Sequence, residues 1–194
     1  VHIEGIIAHP GYAKGKMVNA IKLAAEIIAA LPKDKLAPEI TDKKQGFVHP
    51  VQVEGTAEKA SIDFIIRDFD THELQHHQAE IIRIAHRIAE NFPGVNIQFT
   101  EEEQYRNMKE VLDKYPQVAA YAEEAIQRAG LTMKKESIRG GTDGSRFSYM
   151  GMPCPNIFTG MQAIHSKHEW VGVKDMEKAV EVLVNLVQVW EENS

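Results

Sequence analysis

The stretch FVHPVQVEGTAEKASIDFIIRDFD, residues 47–70, decides the fold. It holds two runs rich in β-branched and aromatic residues, 47–55 and 59–70, joined by a short segment that contains a glycine. Apolar and polar side chains alternate along the second run, a pattern typical of a strand with one buried face. The stretch therefore predicts a β-hairpin.

The segments on either side of the hairpin predict two helices and two further strands. Before it, a strand is predicted at 2–8, and apolar positions at helical spacing predict a helix at 17–31. After it, we expect Thr71 to cap a helix at 72–91, followed by a strand at 95–103. The resulting order, βαββαβ, is that of a ferredoxin-like unit.

The rest of the chain shows a different pattern, which indicates alternating strands and helices. Helices are predicted near 108–113, at 116–128 and at 174–192. One strand is expected within LTMKKESIRGGTDGSRFSYMG (131–151), and a second strand is expected at CPNIFTG (154–160). Two strands cannot make the covered sheet that such a pattern needs, so this part either borrows strands from a segment outside the chain or is unusually thin. The apolar stripe of the last helix is predicted to comprise Met176, Ala179, Val180, Leu183, Leu186, Val187 and Trp190.

Composition narrows the classes of protein to consider. The 194 residues carry 22 Lys and Arg against 28 Asp and Glu, a net charge of −6, and contain no basic block, which argues against nucleic acid as a partner. No apolar window reaches the roughly 18–20 residues of a membrane span. The lone Cys154 suits a reducing compartment, so we expect a cytoplasmic protein. Because the sequence opens on Val1, we expect the later part of a longer polypeptide.

The nine histidines are the first candidates for chemistry. His165 and His168 lie in GMQAIHSKHEW, where His165 is either a zinc ligand or a surface histidine. A catalytic zinc needs about three protein ligands, and neither an HExxH nor a CxxC pattern supplies the others. His72, His76 and His77 fall among Gln and Glu, which favours a solvated helix face.

Two glycine-containing loops are the other candidates. In HPGYAKGK (9–16), His9 follows a strand and precedes a helix, so it either binds an anionic oxygen or is a turn histidine that caps the helix. In IRGGTDGSRF (138–147), Gly141 could let the backbone approach a ligand. The guanidinium group of Arg139 could bind a carboxylate through two parallel hydrogen bonds. The alternative for the second loop is a plain glycine turn.

Taken together, several segments resemble peptidase T, the family of dinuclear-zinc tripeptide aminopeptidases. They are HPGYAKGKMVNA (9–20), IDFIIRDFD (62–70), EQYRNM (103–108), IRGGTDGSRFSYMGMPCPNIFTG (138–160) and HSKHEWV (165–171). The resemblance runs in order over nearly the whole chain and implies an α+β protein. It implies a lid and dimerisation domain at 1–106 and a C-terminal α/β segment of a zinc-exopeptidase catalytic domain at 107–194.

The resemblance also implies roles for individual residues. His165 would be a zinc ligand, and His9 would be the catalytic lid histidine that reaches the partner subunit's active site and stabilises the tetrahedral intermediate. The implied substrate-binding residues are Arg67, Asn107, Arg139 and Gly141.

The other ligands of the two zinc ions belong, by the same resemblance, to an N-terminal half that this chain does not contain. The full-length enzyme would be a homodimer that hydrolyses the N-terminal residue from tripeptides with a metal-bound water. The chain by itself is expected to bind zinc weakly and to be inactive. The alternative function is a non-catalytic dimerising interaction module, which would have no physical need of the intact HSKHEW and IRGGTDG segments.

Overall fold

The computed structural model describes all residues, 1–194, and divides into two compact units, Val1–Glu102 and Glu103–Ser194. The domain boundary expected at residue 106 stays a prediction. None of the helices is both long and apolar enough to cross a lipid bilayer.

The first unit is a four-stranded antiparallel sheet with two helices. Its elements are β1 (His2–Glu4), α1 (Ala20–Ala29), β2 (Phe47–Gly55), β3 (Lys59–Arg67), α2 (Thr71–Ala89) and β4 (Asn96–Gln98). The strand order is β2-β3-β1-β4, and every pairing is antiparallel. This topology confirms the ferredoxin-like prediction. The first and last strands in the sequence, β1 and β4, are shorter than the predicted ranges 2–8 and 95–103.

The core of this unit lies between the sheet and the two helices. One buried cluster contains Ile3 of β1, Ile62 of β3, Leu23 and Ile27 of α1 and Ile84 of α2. Each fully buried aliphatic side chain stabilises the fold by about 1.5–3 kcal/mol relative to exposure. The alternation predicted for residues 59–70 therefore does place one face of β3 in the core.

Side-chain caps fix where the two helices begin. The Asn19 side chain accepts hydrogen bonds from the amides of Ile21 and Lys22, which starts α1 at Ala20. The predicted cap of α2 was wrong by one position. Asp70, not Thr71, caps this helix, because its Oδ1 accepts a 2.7 Å bond from the His72 amide. An Asp at this position also complements the positive end of the helix dipole.

The second unit is mostly helical. Its elements are α3 (Lys109–Leu112), α4 (Pro116–Arg128), α5 (Asp143–Tyr149), β5 (Met161–Gln162), β6 (Trp170–Val171) and α6 (Val173–Glu192). The strands predicted within 131–151 and at 154–160 were wrong, since neither range contains a strand and the only sheet of this unit is the two-residue pairing of β5 with β6. A strand needs a neighbour to take its backbone hydrogen bonds, and this unit offers those segments none.

The face that α6 buries also differs from the predicted stripe. Val182 is fully buried in a cluster with Ala125 and Ile126 of α4, and Val189 is also fully buried, whereas Val180, Leu183 and Val187 of the predicted stripe are exposed. The helix carries apolar residues on two sides, and the side of Val182 packs on α4. Of the predicted stripe, Leu186 packs against the same cluster and Trp190 contacts the ring of Tyr121 in α4, so the prediction holds for these two residues and not for the exposed ones.

Candidate functional site

The loop that carries His9 is fixed at its base. Ile6 and Val18 form an antiparallel bridge in which each amide donates a 2.9 Å bond to the other's carbonyl. Gly5 precedes this bridge, and a Cβ at that position would overlap the carbonyl oxygen of Val18. The backbone therefore closes tightly below an eleven-residue excursion, residues 7–17, that holds His9 away from the sheet.

His9 itself is exposed and caps a short 3-10 turn at Pro10–Tyr12. Its Nδ1 accepts a 3.1 Å bond from the Gly11 amide, and its carbonyl accepts a 2.8 Å bond from the Tyr12 amide. The ring also contacts the Tyr12 ring, with centroids 5.4 Å apart. His9 thus caps this short turn and not the following helix α1, which Asn19 caps. The bond to Gly11 uses Nδ1 and not Nε2.

Arg67 lies at the end of β3, where it is half-buried and its Nη1 donates a 2.9 Å bond to the carbonyl of Ile66. The next residue, Asp68, accepts a bond from the Asp70 amide through Oδ1. Arg67 is thereby placed between a paired strand and an ordered turn.

His77 corrects the prediction that all three histidines of α2 are solvated. His72 and His76 are exposed, but His77 is only 8% exposed and its Nε2 lies 3.0 Å from Oδ2 of Asp68. Sequence reasoning missed this pair, although His77 stands four residues before Ile81 and so belongs to the apolar stripe of the helix. That spacing was the signal available.

In the second unit, Asn107 lies beside α5. Its Oδ1 accepts a 3.1 Å bond from the Lys109 amide, and its carbonyl accepts a 2.9 Å bond from the Tyr149 hydroxyl. The same hydroxyl bonds to Glu110. Burial, and then this bond to Glu110, raises the pKa of Tyr149. The segment around Asn107 is therefore attached to the end of α5.

Gly141 and Arg139 precede α5 on an irregular segment. The side of Gly141 that lacks a side chain is filled by the ring of Tyr105, which a Cβ would overlap. Ser145, in the first turn of α5, donates a 2.6 Å bond to the carbonyl of Arg106. Tyr105 and Arg106 thus bring the Asn107 segment and Gly141 together, with Arg139 half-buried two residues away. Their roles toward a substrate stay predictions.

His165 lies in the exposed loop between β5 and β6. Its φ is 64°, a left-handed conformation that is uncommon for a residue other than glycine and is often found at functional sites. The Glu169 carboxylate holds it there by accepting a 2.7 Å bond from the His165 amide. No group of three or more His, Cys, Asp or Glu side chains in the chain lies close enough to hold a metal ion.

Comparison of the sequence with known proteins finds one family model and several similar proteins. Residues 1–93 match the family model of the peptidase dimerisation domain, M20_dimer. The chain is 40% identical over 192 residues to peptidase T of Clostridium perfringens, which covers 99% of this chain and 47% of that protein. It is also 40% identical over 190 residues to peptidase T of Escherichia fergusonii, covering 97% and 46%.

Two solved structures share the fold. They are aminopeptidase PepT from Bacillus cereus, with a TM-score of 0.64 at 22% identity, and a tripeptidase from Staphylococcus aureus, with a TM-score of 0.72 at 21% identity. Each match covers 97% of this chain and about half of the other, 50% and 49%. The chain likewise spans about half the length of the curated relatives it matches. It is thus similar, along nearly its whole length, to the C-terminal part of peptidase T, and its residues 1–93 match the model of the peptidase dimerisation domain family.

Proposed function

We propose that this chain is the dimerisation domain and adjoining catalytic segment of a zinc-dependent aminopeptidase that removes the N-terminal residue from tripeptides. The observation that carries the proposal is the extent of the similarity to peptidase T, which covers 99% of the chain and not only the dimerisation domain at 1–93. A module that served dimerisation alone would need only the first unit. The similarity of the second unit therefore favours the enzyme over the interaction module.

In the proposed enzyme His9 acts on the active site of the partner subunit. Its loop is fixed by the Ile6–Val18 bridge, so the imidazole is carried on a rigid base. A donor aimed at the oxygen that gains charge in a tetrahedral intermediate stabilises that intermediate without further reorganisation. His9 is proposed as that donor.

The substrate is proposed to be held mainly from the second unit. Arg139 would hold the peptide carboxylate in two parallel hydrogen bonds, for which the guanidinium fork is suited. Asn107, whose carbonyl accepts a bond from Tyr149 of α5, and Gly141, which precedes α5, would line this pocket. Arg67, in the first unit, is proposed separately as a substrate-binding residue.

The residues present do not by themselves fit a zinc site. His165 is the proposed ligand, but a protein-bound zinc ion takes three or four ligands and the chain offers no such group around it. Any zinc bound by the parent enzyme must take its other ligands from outside these 194 residues. We therefore assign no chemical step to a metal within this chain. A cytoplasmic location stays a prediction.

The edge strand β2 is the proposed surface for dimerisation. It is nine residues long and pairs only with β3, whereas the opposite edge, β4, has three residues. Val51 and Val53 are each nearly half exposed along it. A long edge with unpaired backbone groups and exposed valines is a template for pairing with a second copy.

Two histidines in one loop provide a matched test of the proposed function. In the parent polypeptide, the proposed longer enzyme of which this chain is a part, His165→Ala should lower tripeptide turnover by more than about 100-fold. Removing a residue that only hydrogen-bonds to a metal ligand already lowers metal affinity or activity by about 10- to 100-fold. His168→Ala, at an equally exposed position of the same loop, should leave activity nearly unchanged. An inactive parent with every tripeptide tried would favour the non-catalytic interaction module, and equal losses in both variants would contradict the assignment of His165 as the metal ligand.

A further inference from the structure

The hydrogen bond between Gly11 and His9 determines which ring nitrogen carries the proton. A backbone N–H can only donate, so the Nδ1 that lies 3.1 Å from the Gly11 nitrogen must accept and cannot itself be protonated. A neutral imidazole has one N–H, which is then on Nε2. We propose that the Gly11 amide is a positioning group that holds neutral His9 in the Nε2–H tautomer, so that the loop presents a hydrogen-bond donor to its ligand.

The turn is built so that this amide meets the ring. Pro10 has no N–H, and Gly11 therefore supplies the first donor after His9. A Cβ on Gly11 would lie 3.3 Å from Nδ1 and 3.4 Å from Cε1, closer than most such contacts, so glycine gives the imidazole its space. The Tyr12 ring contacts the imidazole at 5.4 Å between centroids. The ring is thus oriented by both of these neighbours.

A fixed donor at Nε2 selects the class of ligand. It suits a carbonyl, a carboxylate or a tetrahedral oxyanion, all of which accept hydrogen bonds, and it disfavours an ammonium group, which only donates. The loop sequence HPGYAKGK contains two lysines and no acid, which also favours an anionic oxygen. This assignment rests on the proposed function, in which His9 meets the oxygen of a peptide bond under attack.

Nuclear magnetic resonance of the ¹⁵N-labelled chain tests the tautomer without any activity. The spectrum is recorded near pH 8, and the ¹⁵N shifts of the two ring nitrogens report directly which of them carries a proton. We expect His9 to show an unprotonated Nδ1, a protonated Nε2, and a scalar coupling between Nδ1 and the Gly11 nitrogen across the hydrogen bond. A protonated Nδ1, or the absence of that coupling, would overturn the inference.

Two substitutions separate the two nitrogens of His9. Asn places an acceptor oxygen where Nδ1 lies, and Gln places an NH₂ donor where Nε2 lies. His9→Asn should keep the Gly11 amide protected from hydrogen exchange, whereas His9→Gln should speed its exchange about 2- to 10-fold, the change expected from losing one hydrogen bond. Faster exchange in both variants, or in neither, would contradict the role of Nδ1 as the acceptor.

Activity of the parent polypeptide should rank the same variants in the opposite order. His9→Gln keeps a hydrogen-bond donor at the position of Nε2 and should therefore retain more turnover than His9→Asn. The Asn side chain keeps only the acceptor for the Gly11 amide. If His9→Asn is the more active, Nε2 is not the functional donor and the inference fails. If the resonance and exchange results hold while His9→Ala leaves turnover unchanged, the tautomer assignment stands and the proposed catalytic role of His9 fails.

Discussion

Nε2 of His77 lies 3.0 Å from Oδ2 of Asp68, and both side chains are about 10% exposed, which joins helix α2 to the end of strand β3. The backbone of Gly46, just before β2, passes so close that a Cβ there would overlap the Asp68 carboxylate. A single pair thus holds three segments of the first unit together, next to Arg67.

Removing the histidine from this pair should destabilise the first unit. His77→Ala leaves the Asp68 carboxylate without that partner in a nearly buried position, so we expect the free energy of unfolding to fall by about 2–3 kcal/mol. His76→Ala, at the exposed neighbouring position, should change it by less than about 0.5 kcal/mol. Urea unfolding of both variants checks this, and similar losses would show that the pair does not stabilise the unit.

The two sides of α6 should respond differently to truncation. Val182 is 0% exposed and Val187 is 70% exposed, so Val182→Ala should cost about 2 kcal/mol while Val187→Ala should cost close to nothing. Thermal unfolding of the isolated chain measures both. Equal costs would contradict the difference in burial between the two valines, and a larger cost for Val187→Ala would mean that the stripe predicted from sequence packs on α4.

Acidification should weaken the tie between α4 and α6. Arg128 donates hydrogen bonds to Glu192 and to Glu124, and its bond to Glu192 holds the pKa of that carboxyl below its ordinary value of 4.5. A carboxyl whose pKa is lowered by folding stabilises the fold above its ordinary pKa, and the contribution is lost as the pH falls through the folded value. Glu192→Gln should therefore reduce the loss of thermal stability between pH 5 and pH 3, whereas Glu191→Gln should reduce it less.

Arg139 can be tested through the Michaelis constant of the parent enzyme. Lysine keeps the charge but loses the planar fork, so Arg139→Lys should raise KM about 10-fold, with a smaller change in kcat. Arg146→Lys, an exposed arginine of the same segment, serves as the control. Unchanged kinetics in Arg139→Lys would assign Arg139 a structural role.

Sequence reasoning succeeded where local signals determine structure. The hairpin strand at 47–55 and the helix at 116–128 were predicted with their observed bounds. β-Branched and aromatic residues indicate the strand, and Pro116 and Gly130 mark the beginning and the end of the helix. These signals are local and do not depend on neighbours.

The errors arose where structure depends on what surrounds a segment. Residues 154–160 have the composition of a strand but no partner in this unit, and α6 has two apolar sides of which only one is covered here. His77 was misplaced because its polar neighbours in the sequence outweighed its spacing from Ile81. The contact of His9 with Gly11 was foreseen only as a general capping role, since a ring orientation is not encoded in spacing.

Dimerisation through the first unit is the step on which the proposed role of His9 depends. The isolated chain should sediment as a dimer at micromolar concentration, and Val53→Lys on the β2 edge should shift it toward monomer. Val187→Lys, an exposed valine outside the dimerisation domain, should leave the dimer intact. A monomeric chain, or equal effects of both substitutions, would contradict the proposed interface.

The most direct measurement of the central claim mixes two inactive forms of the parent polypeptide, one carrying His9→Ala and the other His165→Ala. Each mixed dimer has one site that combines the intact His165 of one subunit with the intact His9 of the other. Random exchange makes half of the dimers mixed, so about a quarter of the wild-type tripeptidase activity should return. No recovery of activity, in a sample where mixed dimers are shown to form, would contradict the claim that His9 acts across the dimer.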